Sequence, residues 1–350
     1  MKKKRNTTIK DLARRLDISV STVSRALRDA PDVNYETKQQ VLALAEQLNY
    51  KRNMLATSLV SKRTYNIGVI VPELSVPFFG YAISGIQQTL YEYGYKMLIG
   101  HTSEQFKLEQ DSVQMMIDNQ VDGIIISVSK DTEDYQHLHQ AKEEDIPVVM
   151  FDRVIPELQQ VFSNVIVDDK DGAFNATAHL IEHGYKRIAH ISGPKNLYIS
   201  QKRIEGYKEA LEMYNIGFQS EYLIHCNLRV DAATATEQLL RLPEPPDAIF
   251  AINDPVAFEI LHYLNELGVK VPEEIGVVGY TGDPMGRLFN PSLTSIRQPS
   301  AMMGSKAAEL LIKEINHKHN PATKNLPFEH STIILPTELI TGRSSVKKRL

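Results

Sequence analysis

The spacing of apolar residues changes once along this chain, and the change divides it. In the first fifty residues they recur at helical intervals. Ile9, Leu12, Ala13 and Leu16 stand at i, i+3, i+4 and i+7, one stripe of an α-helix. Thr8 is placed to cap its start, and Asp11 sets a carboxylate near the positive end of the helix dipole. Asp17 follows the stripe, and aspartate is among the few side chains that tolerate the left-handed backbone of a tight turn. Ser19 is a cap for a second helix, whose inward face is Val23, Ala26 and Leu27. Its outward face holds Val20, Ser21, Thr22, Ser24, Arg25 and Arg28, short groups plus arginine. Asn34 caps a third helix with the stripe Val41, Leu44, Ala45 and Leu48, closed by Asn49 and Tyr50. The pattern predicts a compact three-helix module around Leu16, Val23, Leu44 and Leu48.

Residues 51–63 carry Met54, Leu55 and Leu59, where a solvated linker has no use for apolar groups. They read either as a partly buried linker or as a short helix, capped by Asn53, that forms when something receives its leucines. From residue 66 the period changes. Strand-length apolar runs fall at 67–71, 97–99, 123–127, 147–151, 165–167, 188–191, 248–252 and 275–279. Helical stretches lie between them, for example 79–93, 172–183, 203–214 and 256–267. Apolar strands alternating with helices predict parallel sheets covered on both faces, here as two βα lobes. Residues 344–350 are expected to fray into solvent.

Ligands of open α/β sheets bind beyond the carboxyl ends of the strands. The candidates are therefore residues 72–79, with Phe78 and Phe79, then Ser127, Asp152 and Arg153 in the first lobe. In the second they are residues 192–203, ending at Arg203, then Asn253, Asp254 and the stretch 280–283 with Thr281. Rings that stack on C–H patches, beside charged groups that fork to adjacent hydroxyls, suit a polyhydroxylated ligand.

Composition narrows the classes. With 350 residues, 42% hydrophobic and 23% charged, the chain is long enough for two or three ordinary globular domains. No apolar run approaches the roughly 18 residues of a membrane span, and the basic start lacks the apolar core of a secretory signal. A single cysteine, Cys226, excludes an intrachain disulfide and reads as a small buried residue in a reducing, cytoplasmic setting. Charge is uneven: residues 1–65 hold fourteen Lys/Arg against six Asp/Glu, a net +8, which leaves −12 on the rest of a chain whose total is −4. A basic head on an acidic body is the footprint of a module that binds nucleic acid, although a small bundle with a solvated basic face shows the same helices.

Catalytic and cofactor motifs are missing. His179 and His183 have a metal-compatible spacing, but Glu182 is misplaced for the zinc motif H-E-x-x-H, so an exposed helix face is expected instead. His137 with His139, and His317 with His319, are weaker still. There is no nucleophile elbow, phosphate loop or dinucleotide fingerprint, so neither an enzyme nor a cofactor is expected.

The head T-I-K-D-L-A-R-R-L-D-I-S-V-S-T-V-S-R-A-L, the segment N-Y-K-R-N-M-L-A-T-S-L and the strand I-G-V-I-V-P-E-L-S-V-P-F-F resemble the LacI/GalR family of bacterial transcriptional regulators. D-G-I-I-I-S, P-V-V-M-F-D-R, Q-K-R-I-E-G-Y, A-I-N-D-P-V-A and P-S-L-T-S-I-R-Q-P extend the resemblance along the chain. It implies an all-α helix-turn-helix head with a hinge helix, residues 1–63, on a two-lobed α/β body like a periplasmic binding protein with parallel sheets. The first lobe would take residues 64–162 with about 293–325, and the second 163–292 with about 326–345. The implied function is a ligand-responsive repressor of carbohydrate-utilisation genes, cytoplasmic and homodimeric, on palindromic double-stranded operator DNA. A sugar-binding transport receptor is the alternative. On the resemblance, Val20, Ser21 and Arg25 read bases, while Thr8, Ser19, Thr22, Ser24 and Asn53 hold phosphates. Leu59, with Ala56 on the same hinge, wedges a base step. Phe78, Phe79, Ser127, Asp152, Arg153, Arg203, Asn253, Asp254 and Thr281 surround a small sugar-like effector. Three departures stand out: Asp17 for the turn glycine, Arg52 for a proline, and Thr281 in G-Y-T-G-D where an acid is usual, with Asp283 as the substitute acid.

Overall fold

The computed structural model describes residues 7–27, 29–50, 63–132, 134–227 and 231–347, and the chain separates after Thr64 into two units. The expected hinge, residues 51–62, lies outside the described residues, as does Arg28.

The first unit consists of α1 (Ile9–Leu16), α2 (Val20–Ala26) and α3 (Tyr35–Gln47). Leu12, Val23 and Val41, each near the middle of its helix, are fully buried at the centre. Leu16, Leu44 and Leu48, expected there, are half-buried around it, because short helices meet near their midpoints and leave their ends at the rim. Asp17 takes the left-handed turn with φ 52° and ψ 42°. Ser19 accepts the Thr22 amide at 3.0 Å and Asn34 accepts the Glu36 amide at 2.8 Å, so both caps form. At the start of α1 the acceptor is Asp11, whose carboxylate takes the Thr8 amide at 2.9 Å and the Thr8 hydroxyl at 2.7 Å.

The second unit holds twelve strands among the described residues: β1 (Asn66–Val71), β2 (Lys96–His101), β3 (Gly123–Ile126), β4 (Val148–Phe151), β5 (Ser163–Val167), β6 (Ile188–Ser192), β7 (Leu223–His225), β8 (Ala248–Ala251), β9 (Gly276–Thr281), β10 (Thr294–Arg297), β11 (Thr332–Leu335) and β12 (Glu338–Ile340). They form two six-stranded sheets, ordered β11-β5-β4-β3-β1-β2 and β12-β10-β9-β8-β6-β7. Every pairing is parallel except β10 with β12. Helices α4 (Pro77–Glu92), α5 (Phe106–Asp118), α6 (Gln136–Glu143) and α11 (Ser300–His319) cover the first sheet. Helices α7 (Asp169–Glu182), α8 (Tyr198–Met213), α9 (Ala232–Leu240) and α10 (Asp254–Glu266) cover the second. Within β1, Val69 joins one core and Ile70 the core on the opposite face, the period of two that a strand buried on both sides requires.

The lobe boundaries differ from the expected ones. β5 pairs with β4 and belongs to the first sheet, so residues 163–167 stay in the first lobe. β10 pairs with β9 and stays in the second, while β11 returns to the first sheet beside β5. The chain thus crosses between lobes after β5, after β10 and after β11. An apolar run shows that a strand is buried but not which sheet receives it.

Two other expectations fail on packing. Ser344 and Ser345 are fully buried, the Ser344 hydroxyl donating to the Val277 carbonyl at 2.6 Å, so the tail is a docked segment at least to residue 347. His179 is buried at the end of α7 and its Nε2 lies 2.8 Å from the Ser345 hydroxyl, which places it in the core instead of on an exposed face.

Glu314, on α11, is largely buried with its Oε1 3.8 Å from His330 Nδ1. Burial pushes its carboxyl up to about 7, with Lys142 pulling the other way. An acid raised in the fold stabilises fully below its unfolded value near 4.5, and that contribution is lost as pH rises through 7. At about 1.4 kcal/mol for each tenfold change in proton affinity, the loss is on the order of 3 kcal/mol. We expect Glu314→Gln to raise the urea midpoint at pH 8 and leave it unchanged at pH 4; equal displacement at both pH values disproves this account.

Candidate functional site

On α2 the inward side is filled by Val23 and Ala26, which leaves the opposite side in solvent. Val20 is 41% exposed, and Ser19, Ser21 and Arg25 are exposed beside it, while Thr22 and Ser24 are half-buried. The Ser19 hydroxyl lies 2.7 Å from that of Ser21 and 2.8 Å from that of Thr22, a cluster of donors at the start of the helix. Small groups permit close approach to a groove, and Arg25, the one long side chain of this face among the described residues, stands at its far end. Its Nη1 donates to Asp32 at 2.7 Å, an exposed pair. Thr8 is exposed at the start of α1. Asn53, Ala56 and Leu59 lie outside the described residues.

In the body, the strand order reverses between β1 and β3 in the first sheet and between β6 and β8 in the second. Such switch points open crevices at the carboxyl edge of a sheet. Contacts between the lobes run along these edges: Gln298 Nε2 lies 3.3 Å from Asp152 Oδ1, and Lys130 reaches Asn196 and Asn227. Two hollows lie in the cleft. One, of about 160 Å³, is walled by Phe78 and Tyr81 of the first lobe and by Thr281, Asp283, Arg297 and Gln298. The other, of about 110 Å³, is walled by Ser129, Tyr135 and Glu157 of the first lobe and by Asn196, Tyr198 and Gln201 of the second. A larger hollow of about 890 Å³ draws on the second lobe alone, around Leu261, Phe289 and Arg343.

The first-lobe candidates come together at this edge. Phe78 and Phe79 open α4, their rings edge to face at 5.1 Å, and Phe79 meets Phe151 at 6.4 Å. Asp152 follows β4 with φ 59° and is buried. Burial pushes its carboxyl up, against the pull of Arg153 and of Arg203 from the other lobe. Arg153 donates through Nη1 to Glu104 at 2.7 Å, and its buried Nε has no hydrogen-bond partner among the described residues. The buried hydroxyls of Ser127, Ser192 and Ser200, at the ends of β3 and β6 and the start of α8, share that condition.

The second-lobe candidates are more fully engaged. Arg203 is 2% exposed. Its Nε and Nη2 each lie 2.8 Å from Asp169 Oδ1, its Nη1 donates to the Ile252 carbonyl, and its guanidinium sits 3.6 Å from the centre of the Tyr280 ring. Burial pushes the Asp169 carboxyl up and Arg203 opposes it. Gly206 allows this arrangement, since a Cβ there would stand 2.0 Å from the Lys170 carbonyl and push α8 off α7. Asp254 is completely buried, with Oδ1 accepting from the Ser295 hydroxyl at 2.6 Å and Oδ2 from the Asp283 amide at 2.5 Å. Burial pushes its carboxyl up to about 6 against those bonds. Asp254 therefore pins the 281–283 turn from below. Asn253 caps α10, accepting from the Val256 amide at 3.0 Å. Thr281 is half-buried at the cleft with φ 122°, an unusual conformation for a β-branched residue.

Sequence reasoning passed over Glu104, Lys130, Asp169, Asn227 and Gln298, and took in Asn196 only as part of the stretch 192–203. Asp169 reads as a helix-start acid, and Gln298 was marked only as part of the segment P-S-L-T-S-I-R-Q-P that carries the family resemblance. The others sit in polar loops without a distinguishing pattern. Among the described residues no three His, Cys, Asp or Glu are grouped to hold a metal, and no helix is long and apolar enough to cross a membrane.

Known proteins share both units. Residues 8–53 match the model of bacterial regulatory proteins of the lacI family, and residues 64–330 that of periplasmic binding proteins and the sugar-binding domain of the LacI family. The HTH-type transcriptional repressor PurR of Vibrio atlanticus is 33% identical over 89% of this chain and 92% of its own. The ribose operon repressor of Halalkalibacterium halodurans is 32% identical over 97% of each. The solved complex of the transcriptional regulator CelR with cellobiose superposes with a TM-score of 0.71 at 26% identity, covering 97% of this chain and all of that one. A helix-turn-helix head with an open polar face, followed by two parallel sheets meeting at a cleft, agrees with these matches: the chain belongs to the LacI family and is a ligand-responsive DNA-binding transcriptional repressor, not an enzyme.

Proposed function

We propose that this repressor acts in the cytoplasm as a homodimer on a palindromic operator and controls genes of carbohydrate use in response to a small polyhydroxylated effector. The observation that carries the DNA half is the face of α2, with Val20, Ser21 and Arg25 exposed while Val23 and Ala26 are buried behind them. Val20, Ser21 and Arg25 are the base readers. Thr8, Ser19, Thr22 and Ser24, with Asn53 of the hinge, hold phosphates through hydroxyl and amide groups. Leu59 and Ala56 meet the minor groove, where an apolar wedge kinks the duplex.

The effector half rests on the buried polar atoms at the carboxyl edges. Ser127, Arg153, Ser192 and Ser200 each present a buried nitrogen or oxygen without a partner among the described residues, and a buried polar group is costly until something bonds it. A polyol supplies many donors and acceptors in a small volume. Asp152 and Arg153 fork to its hydroxyls, Phe78 and Phe79 take its C–H face, and Asn253 and Thr281 reach it from the second lobe. Arg203 and Asp254 hold the floor through their internal bonds. The cellobiose bound by the CelR regulator is consistent with this chemistry.

Fluorescence anisotropy with palindromic and random duplexes tests the DNA half, and equal affinity for both refutes it. Arg25→Ala is expected to reduce discrimination by about 1–3 kcal/mol, the worth of a bidentate arginine–guanine pair. A uniform loss on all duplexes makes Arg25 a phosphate contact. A thermal-shift screen of sugars and sugar phosphates tests the effector half, since a ligand that favours the native state raises Tm. Arg203→Ala should abolish that shift and also destabilise the body by about 3–5 kcal/mol in urea, because it strands Asp169. An unchanged urea midpoint contradicts the pinning role.

A further inference from the structure

A chain of polar contacts crosses between the lobes beside the smaller hollow of the cleft, whose wall includes Ser129 and Asn196. Lys130, in the loop after β3, touches the second lobe twice. Its carbonyl accepts from Asn196 Nδ2 and its Nζ donates to Asn227 Oδ1, each at 2.5 Å. Its own amide donates to Glu104 Oε2 at 2.9 Å, and the same oxygen accepts from Arg153 Nη1 at 2.7 Å. Glu104 is thus shared between the bridge to the second lobe and an arginine of the cleft. The turn that carries it is held in place, since its amide donates to the Pro72 carbonyl at 3.1 Å and both it and Ser103 take positive φ.

The loop carrying Lys130 is held stiffly. Glu109, fully buried on α5, accepts from the Ser129 amide at 2.6 Å and the Thr132 hydroxyl at 2.9 Å, with His137 Nε2 at 2.9 Å. The Ser129 hydroxyl meets that of Thr102 at 2.6 Å. The Lys130 backbone is thus set by two carboxylates, Glu109 through the neighbouring Ser129 amide and Glu104 through its own. Glu104 itself touches no residue of the second lobe in any of its hydrogen bonds or ion pairs described above.

We propose that Glu104 is a positioning residue that couples Arg153 to the Lys130–Asn196–Asn227 bridge, so that what engages Arg153 also sets how firmly the two lobes stay closed. A ligand acceptor that draws Arg153 away from Glu104 alters the carboxylate that orients the Lys130 amide. The coupling rests on the proposed effector site only for its biological sense; the contacts it requires are present without ligand.

Hydrogen–deuterium exchange of the full-length protein, without ligand, tests it. Lys130→Ala with Asn196→Ala removes the bridge and should speed exchange of second-lobe amides in segments 197–203 and 223–227 by roughly thirtyfold, the worth of two ordinary hydrogen bonds. Glu104→Ala should speed the same second-lobe segments, and Glu104→Gln, which keeps an acceptor oxygen but loses the charge, should do so less. Faster exchange confined to the first lobe in Glu104→Ala overturns the coupling and makes Glu104 a local brace. Should Glu104→Ala not fold, Glu104→Gln alone decides, and second-lobe exchange equal to wild type overturns the proposal. Neither result bears on effector binding, which the thermal-shift screen tests separately.

Discussion

The guanidinium of Arg203 fixes the second lobe's side of the cleft. It binds Asp169 at the first residue of α7, the carbonyl of Ile252 just after β8, and the ring of Tyr280 near the end of β9. One side chain thereby ties together the ends of three elements that the sequence brings from far apart. Removing a paired charge from water is expensive, and such a pair is weak evidence of added stability. What it does supply is a single arrangement. Three donors in a planar fork are satisfied in one geometry only, so this edge of the sheet has one shape to offer. Asp254 extends the constraint to the next turn through Ser295 and the Asp283 amide.

The first lobe is built on another plan. Its cleft arginine, Arg153, is paired from one side by Glu104 and carries an unpartnered Nε. The charged groups of the second lobe are bonded internally, whereas Arg153 of the first keeps a donor open; the hydroxyls of Ser127 in the first lobe and of Ser192 and Ser200 in the second are open as well. A ligand entering between the lobes therefore finds bonds to make on both sides, and contact with both is what separates one lobe arrangement from another.

Much of this was legible in the residues. Runs such as 67–71 and 248–252 stand out because central parallel strands are buried on both faces and admit almost nothing polar. β7, β11 and β12 escape because they are three or four residues long and half-exposed, and β10 because Thr294, Ser295 and Arg297 fill three of its four positions. The helix caps Ser19 and Asn34 and the left-handed Asp17 could be read locally, since each depends on its own backbone. Arg203 and Asp254 could be read as residues of the cleft, but not as inward-facing pins, because Asp169 and Ser295 lie 34 and 41 residues away along the chain from their partners. The burial of Ser344 was hidden for the same reason, a polar tail giving no local sign of the Val277 carbonyl that awaits it.

The pairing of Arg25 with Asp32 has a consequence for how this protein meets DNA. Asp32 is an internal counterion, and any acceptor offered to Arg25 must compete with it. On the proposed reading of Arg25 as a base reader, its move to the duplex would strand the carboxylate, which would gather a cation of its own and offset part of the ion release that drives protein–DNA association. On a wrong base Arg25 would return to Asp32 instead of being left unpaired. The carboxylate would then set the reference against which each base is judged, making a mismatch a lost gain more than a new cost.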